Sequence, residues 1–262
     1  MNKIEIVNDK IIAKQLDDNI TVSSALNNIN LRQIKIKITK DTDLTIDYSS
    51  NENTKLDFYI NISPNVTCNL YENKQLGNYK LGYKYYLDKN STLNIYKIND
   101  VTNIKELLIF NLNGENAKVN YLLKTISKNH EKYDLMVYHN SSHTISNLIN
   151  HGVNINDGQI DFTVSGFVPN GKKDCLVDQK NRIINLTNNV CAIKPNLFID
   201  ENDVIANHSA HIGKCNDDEM FYLMSRGITY KEAENLIIKG FLLKGLNNYQ
   251  DEMNEIIQKY WR

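Results

Sequence analysis

Apolar and polar residues alternate along most of the chain between about residues 31 and 200. Residues 31–38 show the period of two that is typical of a β-strand with one buried face. A six-residue pattern then recurs, in which an Asp or Asn is followed by two mostly polar or small residues and by an apolar, a polar and an apolar residue. Its copies begin at Asp41, Asn65, Asn90, Asn116, Asn140 and Asn188.

These copies are evenly spaced. The first five are separated by 24, 25, 26 and 24 residues, and the sixth follows after 48, which is two periods. A fixed period in this range is the sequence signature of a solenoid. Because each copy has strand chemistry and no helical pattern separates the copies, we expect a mainly β fold with a right-handed parallel β-helix as its core. An antiparallel meander is the alternative, since its regular turns also produce periodic Asn residues.

The repeat also predicts which side chains stack inside the solenoid, because each coil buries its apolar face only against its neighbours. The fourth positions would form one inner column: Leu44, Cys68, Leu93, Val119, His143 and Cys191. The sixth positions would form a second: Ile46, Leu70, Ile95, Tyr121, Ile145 and Ile193. We therefore expect Cys68 and Cys191 to pack as small hydrophobic residues, and His143 to lie in the core or at the end of a coil.

The chain changes character near Asp217. Acidic residues in the first turn and Gly227 just past the end predict a helix over residues 217–226. Thr229 and Glu232 form a capping box that opens a second helix, which runs to about residue 239.

A third helix is expected over residues 248–260. The predicted organisation is a lead-in segment (1–30), a β-helix core (31–213) and a helical C-terminal region (214–262).

Composition limits the chemistry and the partners. The 262 residues carry 30 Lys and Arg against 31 Asp and Glu, so charge gives no reason to expect nucleic acid, and we expect the lysines to form a solvated face. No apolar leader or membrane-length apolar stretch is present, which favours a cytoplasmic protein without a membrane partner. No glycine-rich phosphate loop is present either, so this chain should bind no nucleotide.

The four cysteines form no CxxC pair and should be free thiols in a reducing cytosol. Cys175, between Asp174 and Leu176, is the best candidate for an exposed, reactive thiol.

The helical tail contains the most specific motif, which is Asp-Glu-Met-Phe-Tyr-Leu-Met-Ser-Arg-Gly-Ile-Thr over residues 218–229. Further short motifs lie at residues 179–182, 194–199, 208–213, 232–233 and 240–241. Together these segments resemble the SufB/SufD family of iron–sulfur cluster assembly scaffold proteins, and the likeness is closer to SufD around His208. It is dense from about Ser142 to Phe241, and before that only the solenoid pattern supports it.

The resemblance implies a parallel β-helix core with a helical C-terminal region, in agreement with the repeat. It also implies a scaffold subunit rather than an enzyme. In this family a SufB-type and a SufD-type subunit pair through their β-helices, and each holds a SufC-type ABC ATPase through its C-terminal helices. An iron–sulfur cluster would be bound transiently at the subunit interface. The pairing partner of this chain could be a SufB-type subunit or a second copy of itself.

The expected ATPase contacts lie in the first tail helix. Its large apolar residues cover more than one helix face, so one face can pack on the second helix while another is left for a partner. The predicted partner-binding residues are Met220, Phe221, Tyr222, Leu223, Met224, Arg226 and Gly227.

A candidate metal pattern, His-x2-His-x3-Cys, is formed by His208, His211 and Cys215. The residue types suit zinc or iron, although the spacing is a weak signature and surface residues on a strand before a helix are the alternative. The resemblance singles out His208 as a ligand of metal and cluster at the subunit interface.

Two features differ from the family pattern. The position two before His208, often Cys in SufD, is Ala206, and the neighbours that are Glu in SufB are Asn207 and Ser209. Family members are also usually longer, with an N-terminal helical region for which this chain shows no pattern.

Two other functions are open at this point. β-Helix proteins include carbohydrate-cleaving enzymes, which are mostly exported and need clustered carboxylates, Ca²⁺ or a basic side chain across adjacent coils. A purely structural SufD-like subunit that binds no cluster is the other alternative.

Overall fold

The computed structural model describes residues 2–27, 31–246 and 249–261, which form strands β1–β17 and helices α1–α3. The first strands are β1 Asn2–Val7, β2 Lys10–Gln15, β3 Ile20–Leu26, β4 Arg32–Ile38, β5 Thr42–Ser49, β6 Asn53–Ile62, β7 Thr67–Gln75, β8 Asn78–Leu87 and β9 Thr92–Asp100. The remaining strands are β10 Asn103–Leu112, β11 Lys118–Ser127, β12 His130–His139, β13 Ile145–Asn154, β14 Gln159–Val168, β15 Cys175–Asn185, β16 Ala192–Ile199 and β17 Val204–Gly213. The helices are α1 Asp217–Ser225, α2 Tyr230–Leu243 and α3 Gln250–Tyr260.

The strands form two sheets, and from β4 onward each coil contributes one strand to each. Sheet A has the order β17-β15-β13-β11-β9-β7-β5-β1-β2, and sheet B has the order β16-β14-β12-β10-β8-β6-β4-β3. Neighbours from β4 to β17 pair in parallel, which confirms the predicted β-solenoid. The coils lengthen toward the C-terminus: Thr67 pairs with Thr92, 25 residues on, whereas Ile145 pairs with Leu176, 31 residues on.

The N-terminal segment closes the first coil. β1 pairs in parallel with β5 and antiparallel with β2, while β3 pairs antiparallel with β4. Each sheet therefore ends in one antiparallel strand at this end. Such strands break the parallel repeat and limit its extension by another chain.

The inner columns follow the alternation, but two predicted copies are out of register. In the first copy Thr42, not Leu44, pairs with Cys68; the shift is two residues, so Leu44 still points inward and is buried. In the fifth copy the shift is three residues, and His143 is exposed. The prediction of an inner position for His143 was therefore wrong.

His143 instead occupies a turn position that recurs in five consecutive coils. The equivalent residues share a positive φ near 55–60°, and they are Asn65, Asn90, Asn116, His143 and Asp174. Asn adopts this left-handed conformation more readily than most residues, which explains why the repeat begins with Asn in three coils. The copy that the sequence pattern lacked between Asn140 and Asn188 is thus the one that begins at Asp174.

The copy predicted at Asn188 was assigned to the wrong sheet. Ile193 lies on β16 and pairs with Phe162 in sheet B, so Cys191 and Ile193 do not continue the column of Cys68 in sheet A. Both are half-buried and pack against the core.

The tail helices cover the outer face of sheet A and form a second core with it. From the sheet, this core contains Ile98, Leu122, Ile126, Val153 and Ile184, all buried. The predicted caps are confirmed, because Thr229 and Glu232 form the capping box and Gly227 has φ +87°. α2 continues to Leu243 because its apolar face keeps packing on the sheet. The predicted start of α3, Asn248, lies outside the described residues.

Among the described helices, none is both long enough and apolar enough to span a membrane.

Candidate partner-binding surfaces

The C-terminal end of the solenoid has two open strand edges. β16 is the last strand of sheet B and β17 is the last strand of sheet A, and each pairs on one side only within the described residues. Neither edge carries the antiparallel closure seen at the other end. An unpaired edge offers a row of backbone donors and acceptors to another chain.

The inner face of this last coil is also uncovered. Val204, Ala206 and Ile212 of β17 continue the inward column of β15, yet they are half-buried or exposed because no further coil follows in the described chain. On β16, Leu197 and Ile199 likewise continue the inward column of β14 and are only half-buried. On the outer face, Phe198 stacks on Phe167 with ring centroids 4.7 Å apart and remains 52% exposed. We call the surface formed by β16 and β17 the terminal coil.

His208 lies in the middle of the terminal coil. It is exposed and continues the inward column, in register with Gln179 of β15. Gln179 is fully buried; its side-chain amide donates to the Asn196 carbonyl at 3.3 Å, whereas its amide oxygen has no hydrogen-bond partner in the described structure. His208 is therefore exposed at the open end of the solenoid, next to the polar side chain of Gln179.

The predicted metal pattern is not assembled by this fold. His211 lies in register with Arg182, on the outer face of the sheet and thus opposite to the face that carries His208. Cys215 is buried in the helix–sheet core, and burial raises its pKa to about 11. Within the described ranges, no group of three or more His, Cys, Asp or Glu residues is placed to hold a metal ion. Any ligand shell that includes His208 thus requires groups from another molecule.

Helix α1 exposes several large apolar side chains. Phe221, Tyr222 and Met224 of α1 are 76%, 57% and 45% exposed. Met220 is buried and Leu223 is half-buried, both in the helix–sheet core. Of the five apolar residues predicted to bind the ATPase, two therefore anchor α1 to the core and three face solvent.

The two remaining residues of the predicted set lie at the end of α1. The Arg226 guanidinium lies 5.1 Å from the centre of the Tyr222 ring, and Gly227 has open space where a side chain would begin. Leu236 on α2 extends the surface and is 51% exposed. We call the surface formed by Phe221, Tyr222, Met224 and Leu236 the apolar tail patch.

Beside this patch, a cavity of about 740 Å³ separates α1 and α2 from β15. Arg182 and Lys244 line it together with Asp218 and Glu219. The cavity thus offers charges of both signs next to an exposed apolar surface. Such a mixture is typical of a protein–protein contact with a polar rim.

Within the described residues, polar contacts join the tail to the solenoid at two places. The Lys124 ammonium donates to the Phe241 carbonyl at 2.8 Å and lies 2.7 Å from His151 Nδ1. At the other end of the tail, Asp100 accepts hydrogen bonds from Tyr260 at 2.6 Å and from Lys128 at 2.7 Å. The apolar tail patch is therefore held in a fixed position on the outer face of sheet A.

Cys68, Cys175 and His139 are buried and have structural roles. Cys68 is fully buried as predicted, and burial raises its pKa to about 12. The prediction of an exposed Cys175 was wrong, because its side chain is only 2% exposed and lies 3.2 Å from the Thr144 hydroxyl. That hydroxyl is 2.8 Å from His139, whose pKa burial lowers to about 4. The predicted register placed His143 and Ile145 on the inner face, so Thr144, which lies between them, had no sequence signal for burial.

The comparisons with known proteins match both the solenoid and the tail. The family model for the SUF system FeS cluster assembly SufBD core domain matches residues 32–241, which extends from β4 to α2. The chain belongs to this family. Its SufBD core therefore corresponds to the solenoid together with the first two tail helices.

Several curated relatives carry the same family name. The iron–sulfur cluster assembly protein SufD of Bacillus subtilis is 32% identical over 118 residues, which is 45% of this chain and 27% of the relative. SufD of Escherichia coli is 39% identical over 59 residues, 22% of this chain and 14% of the relative. A SufBD family protein of Mycobacterium leprae is 27% identical over 154 residues, 56% of this chain and 18% of the relative. The matches thus span about a quarter or less of these relatives' length.

Proposed function

We propose that this protein is a SufD-like scaffold subunit of a cytoplasmic iron–sulfur cluster assembly complex, which pairs with a SufB-type subunit and docks a SufC-type ATPase. The terminal coil is the observation that carries the proposal. Its strand edges are unpaired, its apolar inner face is uncovered, and the other end of the solenoid is closed by antiparallel strands. A partner solenoid is the occupant that would complete both sheets at once.

The apolar tail patch is the proposed docking surface for the ATPase, within residues 214–262. Three large apolar side chains on one short helix exceed what a solvent-facing helix usually exposes, and they lie next to the charged cavity. The two surfaces are separate, so pairing and ATPase binding can occur together. The contacts of Lys124 and Asp100 would then transmit a movement of the tail to the sheet.

His208 is the proposed contribution of this chain to the nascent cluster, which is the cargo of the complex. A neutral imidazole suits iron, and the partner would supply the thiolates or carboxylates that the terminal coil lacks. A purely structural subunit is the second candidate, favoured by the absence of a three-ligand group in the described ranges and by Ala206 at the position where SufD often has Cys.

Co-expression with a SufB-type chain and a SufC-type ATPase tests the assembly. We expect light scattering of the purified material to give the mass of a complex that contains all three chains. Ile212→Glu places a charge on the terminal coil and should release the SufB-type chain while leaving the ATPase bound. Ile12→Glu, at an apolar position on β2 that is also exposed, is the matched control and should leave the complex intact. A self-dimer would assign the terminal coil to a second copy, and a monomer in all mixtures would contradict the proposal.

A further inference from the structure

The outer face of sheet B carries lysines stacked in register over four consecutive coils. Lys55 pairs with Lys80, Lys80 with Lys105 and Lys105 with Lys132, across the neighbouring strands β6, β8, β10 and β12. Adjacent strands are about 4.8 Å apart, so the four ammonium groups form one row along the solenoid axis. We call this row the lysine ladder. Like charges placed directly opposite one another are destabilising, which calls for a compensating anion.

The chain itself supplies little compensation. Lys132 pairs with Asp134 at 3.4 Å, whereas Lys55, Lys80 and Lys105 form no ion pair within the described residues. The carboxyl group of Asp57 lies two residues beyond Lys55 on β6. Burial raises its pKa, although Lys84 and Lys80 act in the opposite direction. One half-buried carboxyl group does not balance the row.

The ladder lines a depression of about 530 Å³ rather than a flat surface. Asn53, Asn78 and Asn103 form a parallel row beside the lysines, and the Asn103 amide donates to the Asn78 oxygen at 2.8 Å. His130 closes the end of the depression, with Nε2 3.0 Å from the Asp161 carboxylate. The depression thus presents ammonium and amide donors at the spacing of the coils.

We propose that the lysine ladder is a binding site for a linear oligophosphate that lies along the solenoid axis. Such a ligand crosses strands β6, β8 and β10, whose backbone groups already bond to a neighbouring strand on each side. An acidic peptide could therefore form no ladder of backbone hydrogen bonds here, and it would present carboxylates only on alternate residues. An oligophosphate has a negative charge on every unit and only acceptors, which matches a row of donors.

Single-stranded nucleic acid fits this face less well. The aromatic side chains on the outer face of this sheet lie outside the depression. Tyr59 and Tyr86 are four and six residues along their strands from Lys55 and Lys80, and Tyr138, Phe167 and Phe198 form a separate stack with centroids 4.7 Å apart. Among the described residues that line the depression, Tyr79 is the only Phe, Tyr or Trp, and its side chain is buried. Single-strand binding relies on free ring faces of such residues that stack bases, and the depression offers none. The site also lies on the sheet opposite to the tail, so its occupation does not depend on the proposed scaffold function.

Calorimetric titration of the full chain tests the site. The buffer contains 100 mM salt, because a concentration of about this size screens exposed charges beyond roughly 10 Å. The probes are tripolyphosphate, orthophosphate, an oligothymidylate and an oligoglutamate. We expect tripolyphosphate to bind more tightly than the other three. Lys80→Gln with Lys105→Gln should weaken tripolyphosphate binding about tenfold, because two favourable ion pairs are lost.

Lys35→Gln with Lys37→Gln is the matched control, because both lysines are exposed on the same sheet but lie outside the depression. The control pair should change the affinity less than about twofold, and circular dichroism should show both variants folded. Equal losses in the two variants would show unspecific charge attraction and overturn the proposal. Absence of tripolyphosphate binding, or tighter binding of oligothymidylate or oligoglutamate, would also overturn it.

Discussion

The Lys124 ammonium and the Phe241 carbonyl are joined by a hydrogen bond of 2.8 Å that spans 117 residues of sequence. The His151 ring stacks on the Phe241 ring at 4.3 Å, and the Arg182 guanidinium lies 5.3 Å from the centre of the same ring. Phe241 is therefore the residue through which α2 is fixed to the sheet. The tail also packs on the sheet through its apolar core, so the contacts of Phe241 and Asp100 form the polar part of this connection.

Lys124 should make stability depend on pH. Burial, assisted by the charge of Lys244, lowers the pKa of Lys124 from 10.5 to about 7. Between those two values the unfolded chain binds a proton that the folded chain does not, so the free energy of unfolding should rise with pH. The gain from pH 7 to pH 9 should reach about 2 kcal/mol. Urea unfolding at the two pH values measures it.

Lys124→Met is the control for this pH dependence. His151, which faces Lys124, has a pKa lowered to about 3 by burial and by Lys124, so it stays neutral throughout the window. The variant should therefore lose most of the rise between pH 7 and pH 9. An unchanged rise would show that another group is responsible.

A cluster of four fully buried charged side chains lies inside the solenoid: Glu72, Lys74, Lys97 and Glu106. Glu72 accepts from Lys74 at 2.7 Å and lies 3.1 Å from Lys97, and Glu106 lies 3.2 Å and 3.3 Å from the same two lysines. Burial alone would raise the pKa of Glu72, but the two lysines outweigh it and hold the pKa well below its usual value. Lys97→Met leaves two carboxylates with one lysine and should lower the free energy of unfolding by about 3–5 kcal/mol.

A double variant distinguishes charge balance from packing in this cluster. Lys97→Met with Glu106→Gln retains the close Glu72–Lys74 pair and restores neutrality, so it should unfold at a higher urea concentration than Lys97→Met alone. If the double variant is the less stable of the two, the charges act mainly through packing, and charge balance is not what stabilises the core.

Much of this fold follows from the sequence because each coil must bury its face on the next. On β7, the alternation of inward and outward positions alone places Cys68, Leu70, Glu72 and Lys74 inside, and all four are buried. Because Glu72 and Lys74 are charged, they would be expected on the outer face. The residues that neutralise them, Lys97 and Glu106, lie on other strands, so nothing near them in the sequence indicated a buried ion-pair cluster. The register errors have a similar cause, because coils that grow from 25 to 31 residues do not keep a fixed period.

The candidate surfaces were only partly predictable. The motif identified α1, and amphipathic spacing could not decide which of its apolar residues face solvent, because that depends on how the helix lies on sheet A. The lysine ladder was hidden for another reason. Lys55, Lys80, Lys105 and Lys132 are dispersed along the chain, and only the coil register aligns them.

The apolar tail patch should bind the ATPase through Phe221 and Tyr222. Phe221→Ser with Tyr222→Ser removes exposed side chains, so we expect an unchanged unfolding midpoint and a loss of ATPase binding of at least about tenfold in a pull-down titration. Met220→Ser is the contrast, because Met220 is buried and its loss should lower stability. Truncation of the tail is a poorer test, since it would uncover Ile98, Leu122 and Ile126 on the sheet. Full ATPase binding by the double variant would contradict the assignment.

His208 should affect the cluster and not the assembly. In the reconstituted complex, His208→Ala is expected to lower the yield of iron–sulfur cluster while both partners remain bound. His211→Ala should do much less, because His211 lies on the other face of β17. If His208→Asn restores the yield, the imidazole makes a hydrogen bond rather than a bond to iron, and the purely structural subunit becomes the better account.

The terminal coil is the proposed pairing surface on which the other proposals about the complex depend. Amide hydrogen exchange tests this role of the terminal coil most directly. The experiment compares the chain alone with the chain in its purified complex with a SufB-type subunit. We predict that backbone amides of β17, Val204–Gly213, and of β16, Ala192–Ile199, become strongly protected in the complex. Amides of the edge strands β2 and β3, at the closed end, should exchange at unchanged rates. Unchanged exchange in β16 and β17, or new protection confined to β2 and β3, would contradict the account.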